Sequence, residues 1–351
     1  MKFKKLFACA LMAGILGLCP QEVVAQGGAS GGTGIGEGPI NNTSAFPVDR
    51  RRESPEKDGM ITNARLSSTG FGFLKLTTNA RAVAMGDAYS AVGNDLSAIF
   101  YNPAGLTQME TERAVLGSYT DWIVGSSLGT AAFAVKTGVA TFGVSATFFK
   151  SETFEETTSQ NPGGTGNMVN TSDMAIGFTI SKQLTDKLSF GAQIRYIKED
   201  LILIDFSTVD INFGTVFFTG YKSTRISMTL RNLGADAVVV AQESRVPTVF
   251  YLAGAGEIYG NLGDPFSLTV AAEQAFFTDY EARYYVGGEA WFQNSFALRA
   301  GYKTGHTNEA WSVGAGLKHE MRGQRINIDV SLSNAETFEE SPIRLSVGYG
   351  F

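Results

Sequence analysis

The chain of 351 residues contains only two cysteines and two histidines, scattered along its length. A zinc site with the usual four Cys or His ligands would need nearly all of them close together. Phosphate-binding, EF-hand and haem motifs are also missing. We therefore expect no metal and no cofactor.

Positive charge is scarce as well, since 28 Lys and Arg stand against 34 Asp and Glu, giving a net charge of −6. No basic block is large enough to hold a polyanion by releasing counterions. We therefore do not expect nucleic acid as a partner.

The amino terminus lacks an apolar run long enough for a membrane anchor. The stretch Leu6–Leu18 falls short of the roughly 20 residues that a membrane-spanning helix needs. It follows three lysines and precedes the small-residue pattern Val23–Ala25, which is typical of a cleavable secretory signal peptide. We expect residues 1–25 to be removed with both cysteines, Cys9 and Cys19. An exported chain without disulfides must then rely on burial or on a sheet that closes on itself.

The next segment, residues 26–70, has few large apolar side chains. It joins a glycine-rich stretch, Gly27–Gly38, to a charged run, Val48–Asp58. Neither part can bury enough surface to offset the entropy lost on ordering. We expect a flexible tail in which the cluster Arg50–Arg52 is solvated.

From residue 112 to the carboxyl terminus, segments of about ten residues alternate between apolar and polar side chains, with a turn after each. Successive side chains of a strand point to opposite faces, so each segment is predicted to be a strand with one apolar face. An even number of antiparallel strands is typical of bacterial outer-membrane barrels. We therefore expect an all-β fold, a transmembrane antiparallel barrel at residues 112–351. Its fourteen predicted strands are 112–122, 127–136, 139–151, 171–184, 187–199, 207–220, 223–233, 246–259, 265–277, 281–293, 295–304, 309–321, 324–334 and 342–351.

Two other folds compete with the barrel. A soluble β-sandwich also alternates, but its strands are usually about 5–6 residues long, whereas strands near ten residues cross the hydrocarbon when tilted. A helical membrane protein would use residues 128–149, yet Thr137-Gly138 interrupts that run and both halves alternate, which favours a hairpin. Apolar faces of this size would also make a soluble monomer aggregate.

The same alternation points eight charged residues into the barrel. The lumen is therefore predicted to be polar, and either wet or filled by a plug. We expect most of these charges to pair with one another, and we assign none of them to a substrate. They are Arg195, Arg225, Arg231, Glu273, Glu289, Arg299, Asp329 and Arg344.

The segment before the first strand is the candidate for that plug. Asp95 can cap a short helix that runs to about Tyr101, and Asn102-Pro103 ends it, because the residue before a proline is pushed out of the helical region. We expect residues 71–111 to form a luminal hatch rather than an ordinary loop at the barrel entrance. Tight turns in it are permitted by Gly86, Gly93 and Gly105.

Several short stretches of this hatch form a recognisable signature. They are Asn79-Ala80-Arg81-Ala82, Ala84-Met85-Gly86-Asp87-Ala88, Asn94-Asp95 and Tyr101-Asn102-Pro103-Ala104-Gly105-Leu106. Together they resemble the amino-terminal signature of the PorV/PorQ family, which is itself similar to FadL-type outer-membrane proteins. With the fourteen strands, Asn232-Leu233-Gly234 and the terminal Phe, the resemblance covers residues 71–351. The hatch residues that it marks are Asn79, Arg81, Met85, Gly86, Asp87, Asp95, Asn102, Pro103 and Gly105.

The resemblance implies a component of type IX protein secretion and surface attachment, acting through contacts with secretion-system subunits and secreted cargo. An alternative function is a FadL-like, hatch-gated channel for uptake of hydrophobic small molecules. A porin-like barrel without a specific cargo is a third. All three place the chain in a Gram-negative-type outer membrane, in contact with its lipid.

The carboxyl terminus carries a second signature. Val347, Tyr349 and Phe351 resemble the terminal signal by which bacterial barrels are recognised by the barrel-assembly machinery. The longest connection, residues 152–170, is acidic and is predicted to be extracellular, because long loops of such barrels face outward while short turns face the periplasm. Both chain termini are then predicted to be periplasmic.

An enzyme is not expected. Gly125-Ser126-Ser127-Leu128-Gly129 matches the hydrolase pattern G-x-S-x-G, but that motif needs a strand before it and a helix after it. Here a strand is predicted to follow, and His306 is predicted to lie in an exposed loop.

Overall fold

A computed structural model gives the structure of the chain, and it describes residues 69–351 except 203, 240–241, 280, 307–308 and 336–339. The expected signal peptide, residues 1–25, and nearly all of the expected tail, residues 26–70, lie outside the described residues. Within the described part, no helix is long and apolar enough to cross a membrane.

Fourteen antiparallel strands close into a barrel, as the alternation predicts. The first and last of them complete the closure by pairing Ala114 with Gly350. Each predicted strand begins and ends within three residues of an observed one. In chain order the strands are β1 (Arg113–Asp121), β2 (Ser127–Lys136), β3 (Thr141–Lys150), β4 (Phe154–Glu155), β5 (Met168–Val169), β6 (Ser172–Gln183), β7 (Leu188–Asp200), β8 (Asp205–Phe218), β9 (Arg225–Gly234), β10 (Ala237–Val239), β11 (Gln242–Ser244), β12 (Val249–Tyr259), β13 (Phe266–Phe277), β14 (Arg283–Phe292), β15 (Phe296–Thr304), β16 (Trp311–Met321), β17 (Gln324–Ser333) and β18 (Ile343–Gly350).

The two faces of the barrel wall differ in polarity. Large apolar side chains stand exposed on its outside, among them Phe133, Val144, Ile176 and Ile194. At the alternate strand positions, side chains point inward and many are buried polar residues, such as Thr120, Thr130, Thr179 and Ser227. An apolar exterior around a polar interior is the arrangement that lipid stabilises and that water does not.

The two ends of the barrel differ in the length of their connections. Short turns such as 137–140 and 322–323 join the strands at one end, which we call the turn end. The longest connections, 151–171 and 235–248, lie at the opposite loop end, and each carries a short hairpin, β4–β5 or β10–β11, that the alternation did not predict. The loop end corresponds to the outer face in outer-membrane barrels.

The hatch lies inside the barrel and runs along its whole length. Thr69, just before the hatch, bridges to Arg245 at the loop end, and Glu110 pairs with Arg325 at the turn end. The hatch thus spans the lumen from Thr69 to Glu110, whereas the amino terminus itself, which is predicted to be periplasmic, lies outside the described residues. Its helices are short: an α-helix, α1 (Ala80–Ala84), and 3-10 helices at Gly72–Lys75, Leu96–Phe100 and Pro103–Gln108.

Small wall residues make room for the hatch. A Cβ atom on Gly301 would lie 1.9 Å from the backbone nitrogen of Gly86, and one on Gly287 would lie 2.1 Å from the carbonyl oxygen of Met85. The hatch turn thus rests backbone against backbone on β14 and β15. Next to it, Tyr89 and Tyr101 pack against alanines of the wall: Ala253, Ala255, Ala271 and Ala275.

Candidate functional site

Arg81 is the charged residue that ties the hatch to the wall. Asn79 caps α1 by accepting hydrogen bonds from the backbone nitrogens of Arg81 (2.9 Å) and Ala82 (3.4 Å). The guanidinium of Arg81 donates to both carboxylate oxygens of Glu289 on β14, at 2.8 and 2.7 Å. Its remaining nitrogen donates to Asp95 at 2.7 Å, so one side chain joins two parts of the hatch to the barrel.

The ion pairs continue across the wall. Glu289 also accepts from Arg299 at 2.6 Å, and Arg299 donates to Asp329 at 2.7 Å. Arg81, Glu289, Arg299 and Asp329 are each more than nine-tenths buried. A buried charge that loses its partner is strongly destabilising, so these four residues depend on one another.

Two further wall residues hold the middle of the hatch. Glu273 accepts hydrogen bonds from the backbone nitrogens of Tyr89 (3.0 Å) and Ser90 (2.9 Å) and from the Ser90 hydroxyl (2.8 Å). Arg225 donates to the carbonyl oxygen of Ala91 at 2.6 Å and pairs with Glu257 at 3.1 Å. Backbone groups of the turn between α1 and the following 3-10 helix are thereby hydrogen-bonded to the wall.

Asn102 connects three segments at once. Its carbonyl oxygen accepts from the backbone nitrogen of Ala104 (3.0 Å) and so caps the last 3-10 helix. Its amide nitrogen donates to the carbonyl oxygens of Ser90 (2.9 Å) in the hatch and Thr215 (3.1 Å) on β8. This single amide therefore fixes the Asn-Pro turn against the barrel.

A cavity of about 250 Å³ lies at the loop end, with the hatch as its floor; we call it the vestibule. Aromatic rings form much of its wall: Tyr101, Trp122, Tyr251, Phe277 and Tyr285. Concave sites with mostly apolar walls and a few polar groups are the usual binding sites for small molecules. The vestibule is therefore the candidate functional site.

Most charges that line the vestibule already have partners. Lys303 pairs with Asp87 of the hatch at 2.5 Å and with Glu309 at 2.7 Å, and Arg344 also pairs with Glu309, at 3.1 Å. Lys75 forms an ion pair with Asp279.

Arg231, on β9, is different. Within the described part of the chain its guanidinium makes no hydrogen bond and no ion pair, and its contact is with the ring of Tyr251, whose centroid lies 5.5 Å away. Its donors are left available to the vestibule.

The connection between β15 and β16 contributes two titratable residues. Burial, and then repulsion from Arg283 and Lys303, lowers the pKa of His306 to about 3. Although burial opposes it, attraction to Lys303 and Arg344 holds the pKa of Glu309 well below its usual range. His306 is thus neutral, and Glu309 charged, at physiological pH.

Two smaller cavities, of about 40 Å³ each, lie on the other side of the hatch, toward the turn end. Both touch Asn94 and Asp95, whose side chains contact Arg81. The hatch therefore separates the vestibule from the turn end of the barrel.

The predicted hatch residues divide into two groups. Asn79, Arg81, Asp95 and Asn102 make the caps and ion pairs described above. The others shape the backbone: Met85, Gly86 and Asp87 form the turn on β14 and β15, Pro103 begins a 3-10 helix, and Gly105 packs so closely that a Cβ atom there would lie 2.8 Å from the carbonyl oxygen of Gly93.

Three of the eight predicted inward charges form ion pairs with residues that were not predicted from the sequence. Asp210 pairs with Arg195, Glu257 with Arg225 and Glu309 with Arg344. Alternation alone could have found Asp210 and Glu257, since they share the inward parity of Asn212 and Ala255. Glu309 opens the predicted strand 309–321 but lies before the observed β16, so the alternation of that strand could not place it.

The hydrolase-like motif has the wrong surroundings. Ser127 opens β2, so a strand follows it instead of the helix that the motif needs. The described residues also hold no group of three or more His, Cys, Asp or Glu arranged to bind a metal.

Comparison with known proteins places the fold. A family model described as an uncharacterised protein family (UPF0164) matches residues 54–197. A search of curated proteins found no match.

Three similar solved structures are two toluene transporters and a FadL homologue. The toluene transporter TbuX of Ralstonia pickettii superposes with a TM-score of 0.56 at 12% identity, over 77% of this chain and 97% of that one. The toluene transporter TodX of Pseudomonas putida gives 0.55 at 12%, over 77% and 97%. A FadL homologue of Pseudomonas aeruginosa gives 0.52 at 14%, over 78% and 98%. The chain thus shares the barrel fold of these proteins.

Proposed function

We propose that the chain is an outer-membrane channel for the uptake of hydrophobic small molecules, with the hatch as its gate. The observation that carries the proposal is the vestibule, an aromatic-lined cavity of about 250 Å³ at the loop end whose floor is the hatch. A solute entering from the outer face would meet this cavity first.

The apolar exterior and the fold support this function. TbuX and TodX, which share the fold, are toluene transporters. The proposal includes export by the signal peptide at residues 1–25 and insertion by the barrel-assembly machinery, directed by Val347, Tyr349 and Phe351.

The packing of the hatch defines what gating requires. The hatch rests on Gly287 and Gly301 and is held by Arg81, so no route larger than a water molecule is expected to pass it while these contacts persist. Uptake therefore needs a local movement of the hatch.

A reversible crosslink tests this requirement. The two cysteines of the chain, Cys9 and Cys19, lie in the expected signal peptide, so introduced cysteines meet no competing thiol. A Cβ atom on Gly214 would lie 3.0 Å from Cγ of Asn102, within reach of a disulfide. The double variant Asn102→Cys, Gly214→Cys, reconstituted in liposomes, should take up toluene when reduced and stop when oxidised.

The two single-cysteine variants are the controls, and both should be indifferent to oxidant. Equal uptake by the oxidised and reduced double variant would show that the hatch is not a gate. A lack of toluene uptake by the unmodified protein would contradict the channel itself.

A role in type IX protein secretion, suggested by the PorV/PorQ resemblance, is the second candidate. The observation that favours it is the hairpin β4–β5 in the longest connection, which projects acidic side chains at the loop end. There Asn167 and Thr165 donate hydrogen bonds to Glu156, which lowers the pKa of that carboxyl group. An ordered acidic hairpin suits contact with secreted cargo or partner subunits.

Shortening residues 153–168 separates the two functions. In the secretion role this change should disrupt capture of cargo in pull-downs from solubilised outer membrane while toluene uptake persists. In the channel role the oxidised crosslink should stop uptake while the pull-downs stay unchanged. A deletion strain with an uptake defect and normal secretion would exclude the secretion role.

A further inference from the structure

Arg231 is the vestibule cation whose guanidinium forms no hydrogen bond or ion pair with a described residue, although its charge acts on nearby Glu273. The other cations are occupied, since Lys303 and Lys75 form ion pairs and Arg283 lies over the ring of Phe277 and beside His306. Arg231 makes neither a hydrogen bond nor an ion pair with any described residue.

The carboxylates that face the vestibule are committed elsewhere. Asp87 and Glu309 pair with Lys303, and Glu273 accepts three hydrogen bonds from Tyr89 and Ser90. None of the three donates or accepts a bond with Arg231, so the guanidinium is available to a ligand.

The position of Arg231 suits a carboxylate. Its guanidinium stacks near the ring of Tyr251, at 5.5 Å from the centroid, which holds the planar group in one orientation at little entropic cost. A guanidinium presents two parallel N–H donors that match the two oxygens of a carboxylate. A partly buried site of this kind binds an anion more strongly than a surface cation does.

The rest of the cavity suits one aromatic ring. Tyr251 and Phe277 meet edge to face with centroids 6.3 Å apart, and Tyr285, on the next strand of the barrel wall, also lines the cavity. The volume of about 250 Å³ equals about eight water molecules at about 30 Å³ each. That is room for a ring with a short substituent and too little for a long extended chain.

We propose that the vestibule binds a small aromatic monocarboxylate, with its carboxylate on Arg231 and its ring among Tyr251, Phe277 and Tyr285. This inference rests on the proposed function in taking the vestibule as the entry site for a solute. It goes further by requiring an acidic group on the ligand, which toluene lacks.

Benzoate and toluene form a matched pair of probes, because they differ only in a carboxylate against a methyl group. Isothermal titration calorimetry on the detergent-solubilised full-length protein should give benzoate at least about tenfold higher affinity than toluene. Raising the salt concentration should weaken benzoate binding and leave toluene binding unchanged, since screening acts on charges.

Substitutions assign the effect to Arg231. Arg231→Gln should lower benzoate affinity about tenfold or more and leave toluene affinity unchanged, and Arg231→Lys should keep part of the benzoate affinity. Lys198→Gln is the control, since Lys198 is a cation near the same end of the barrel, at 36% exposure, paired with Asp205. It should change neither affinity.

Equal affinity of the unmodified protein for benzoate and toluene would overturn the inference without any variant. So would unchanged benzoate binding in Arg231→Gln. Uptake into liposomes distinguishes this inference from the channel function. Benzoate binding without uptake of either probe would support the carboxylate site and contradict the channel function. Toluene uptake without benzoate binding would support the channel function and contradict the carboxylate site at Arg231.

Discussion

Arg81 of the hatch and Glu289 of β14 form a two-pronged ion pair inside the barrel, with nitrogen–oxygen distances of 2.8 and 2.7 Å. Both side chains are withdrawn from solvent. Each charge would be strongly destabilising if it were buried without the other. The hatch and the wall are therefore stable chiefly when they are packed together.

Neutralising Glu289, the wall residue of this ion pair, should destabilise the folded protein. Glu289→Gln leaves Arg81 and Arg299 without their shared carboxylate and should lower the free energy of unfolding by about 3–5 kcal/mol. Thermal melting followed by circular dichroism in detergent measures the loss. The double variant Arg81→Gln, Glu289→Gln should be less destabilised than the sum of the single variants, because it removes both buried charges.

The matched control for that measurement is Lys198→Gln, which breaks a solvent-exposed pair with Asp205. Its cost should stay below about 1 kcal/mol. Strict additivity of the two single substitutions at Arg81 and Glu289 would mean that the pair does not couple the hatch to the wall.

A side chain added to the wall where the hatch rests on it should displace the hatch. Gly301→Ala places a methyl group 1.9 Å from the backbone nitrogen of Gly86, and overpacking of this kind typically costs about 1–3 kcal/mol. We expect a lower melting temperature and faster toluene entry into liposomes. Gly129→Ala, where a Cβ atom meets nothing within 4 Å, should change neither property, and equal behaviour of the two variants would argue against a tight seat.

The stability that neutral His306 contributes should fall as the pH drops below about 6.5. The pKa of His306 is about 3 in the folded protein against an ordinary 6.5, so between these values the unfolded chain binds a proton that the folded chain does not. Glu309 adds a further loss below its ordinary pKa of 4.5, because its folded pKa is lower still.

Relative to His306→Gln, the melting temperature of the unmodified protein should therefore decrease by a few degrees between pH 7 and pH 5. His306→Gln should flatten this part of the profile while leaving the fall below pH 4.5, to which Glu309 and other carboxylates contribute. An unchanged slope between pH 7 and pH 5 in His306→Gln would show that His306 is not the responsible group.

The terminal residue should be needed for insertion through its ring. Phe351 exchanges two backbone hydrogen bonds with Arg113, at 2.8 and 2.9 Å, and its ring stacks on Tyr349 with centroids 5.5 Å apart. Deleting Phe351 removes both features, whereas Phe351→Ala removes only the ring. Both changes should lower the amount of SDS-resistant barrel in the membrane fraction, and normal insertion of Phe351→Ala would assign the effect to the backbone alone.

The barrel was predictable because strand periodicity is local. Alternation over ten residues fixes which side chains face lipid, and an error of one residue would reverse every face. The hairpins β4–β5 and β10–β11 were not predicted, because each of their strands is too short to show a period.

The site was less predictable because it depends on distant registers. Alternation places Arg231 inward together with seven other charges, but only the three-dimensional arrangement shows that Arg231, among these eight, forms no hydrogen bond or ion pair with the residues that the structure describes. Similarly, the hatch signature marks Arg81, yet its contact with Glu289 joins residues 208 positions apart, which no local pattern encodes.

The hatch also changes the number of times that the chain crosses the barrel. Fourteen strands alone would return the chain to the side on which it began, but the passage from Thr69 at the loop end to Glu110 at the turn end adds a fifteenth crossing. An odd number of crossings leaves Thr69 and Phe351 on opposite sides of the membrane. Assembly of the barrel therefore has to bring Thr69 to the loop end through the lumen that the seam between β1 and β18 encloses.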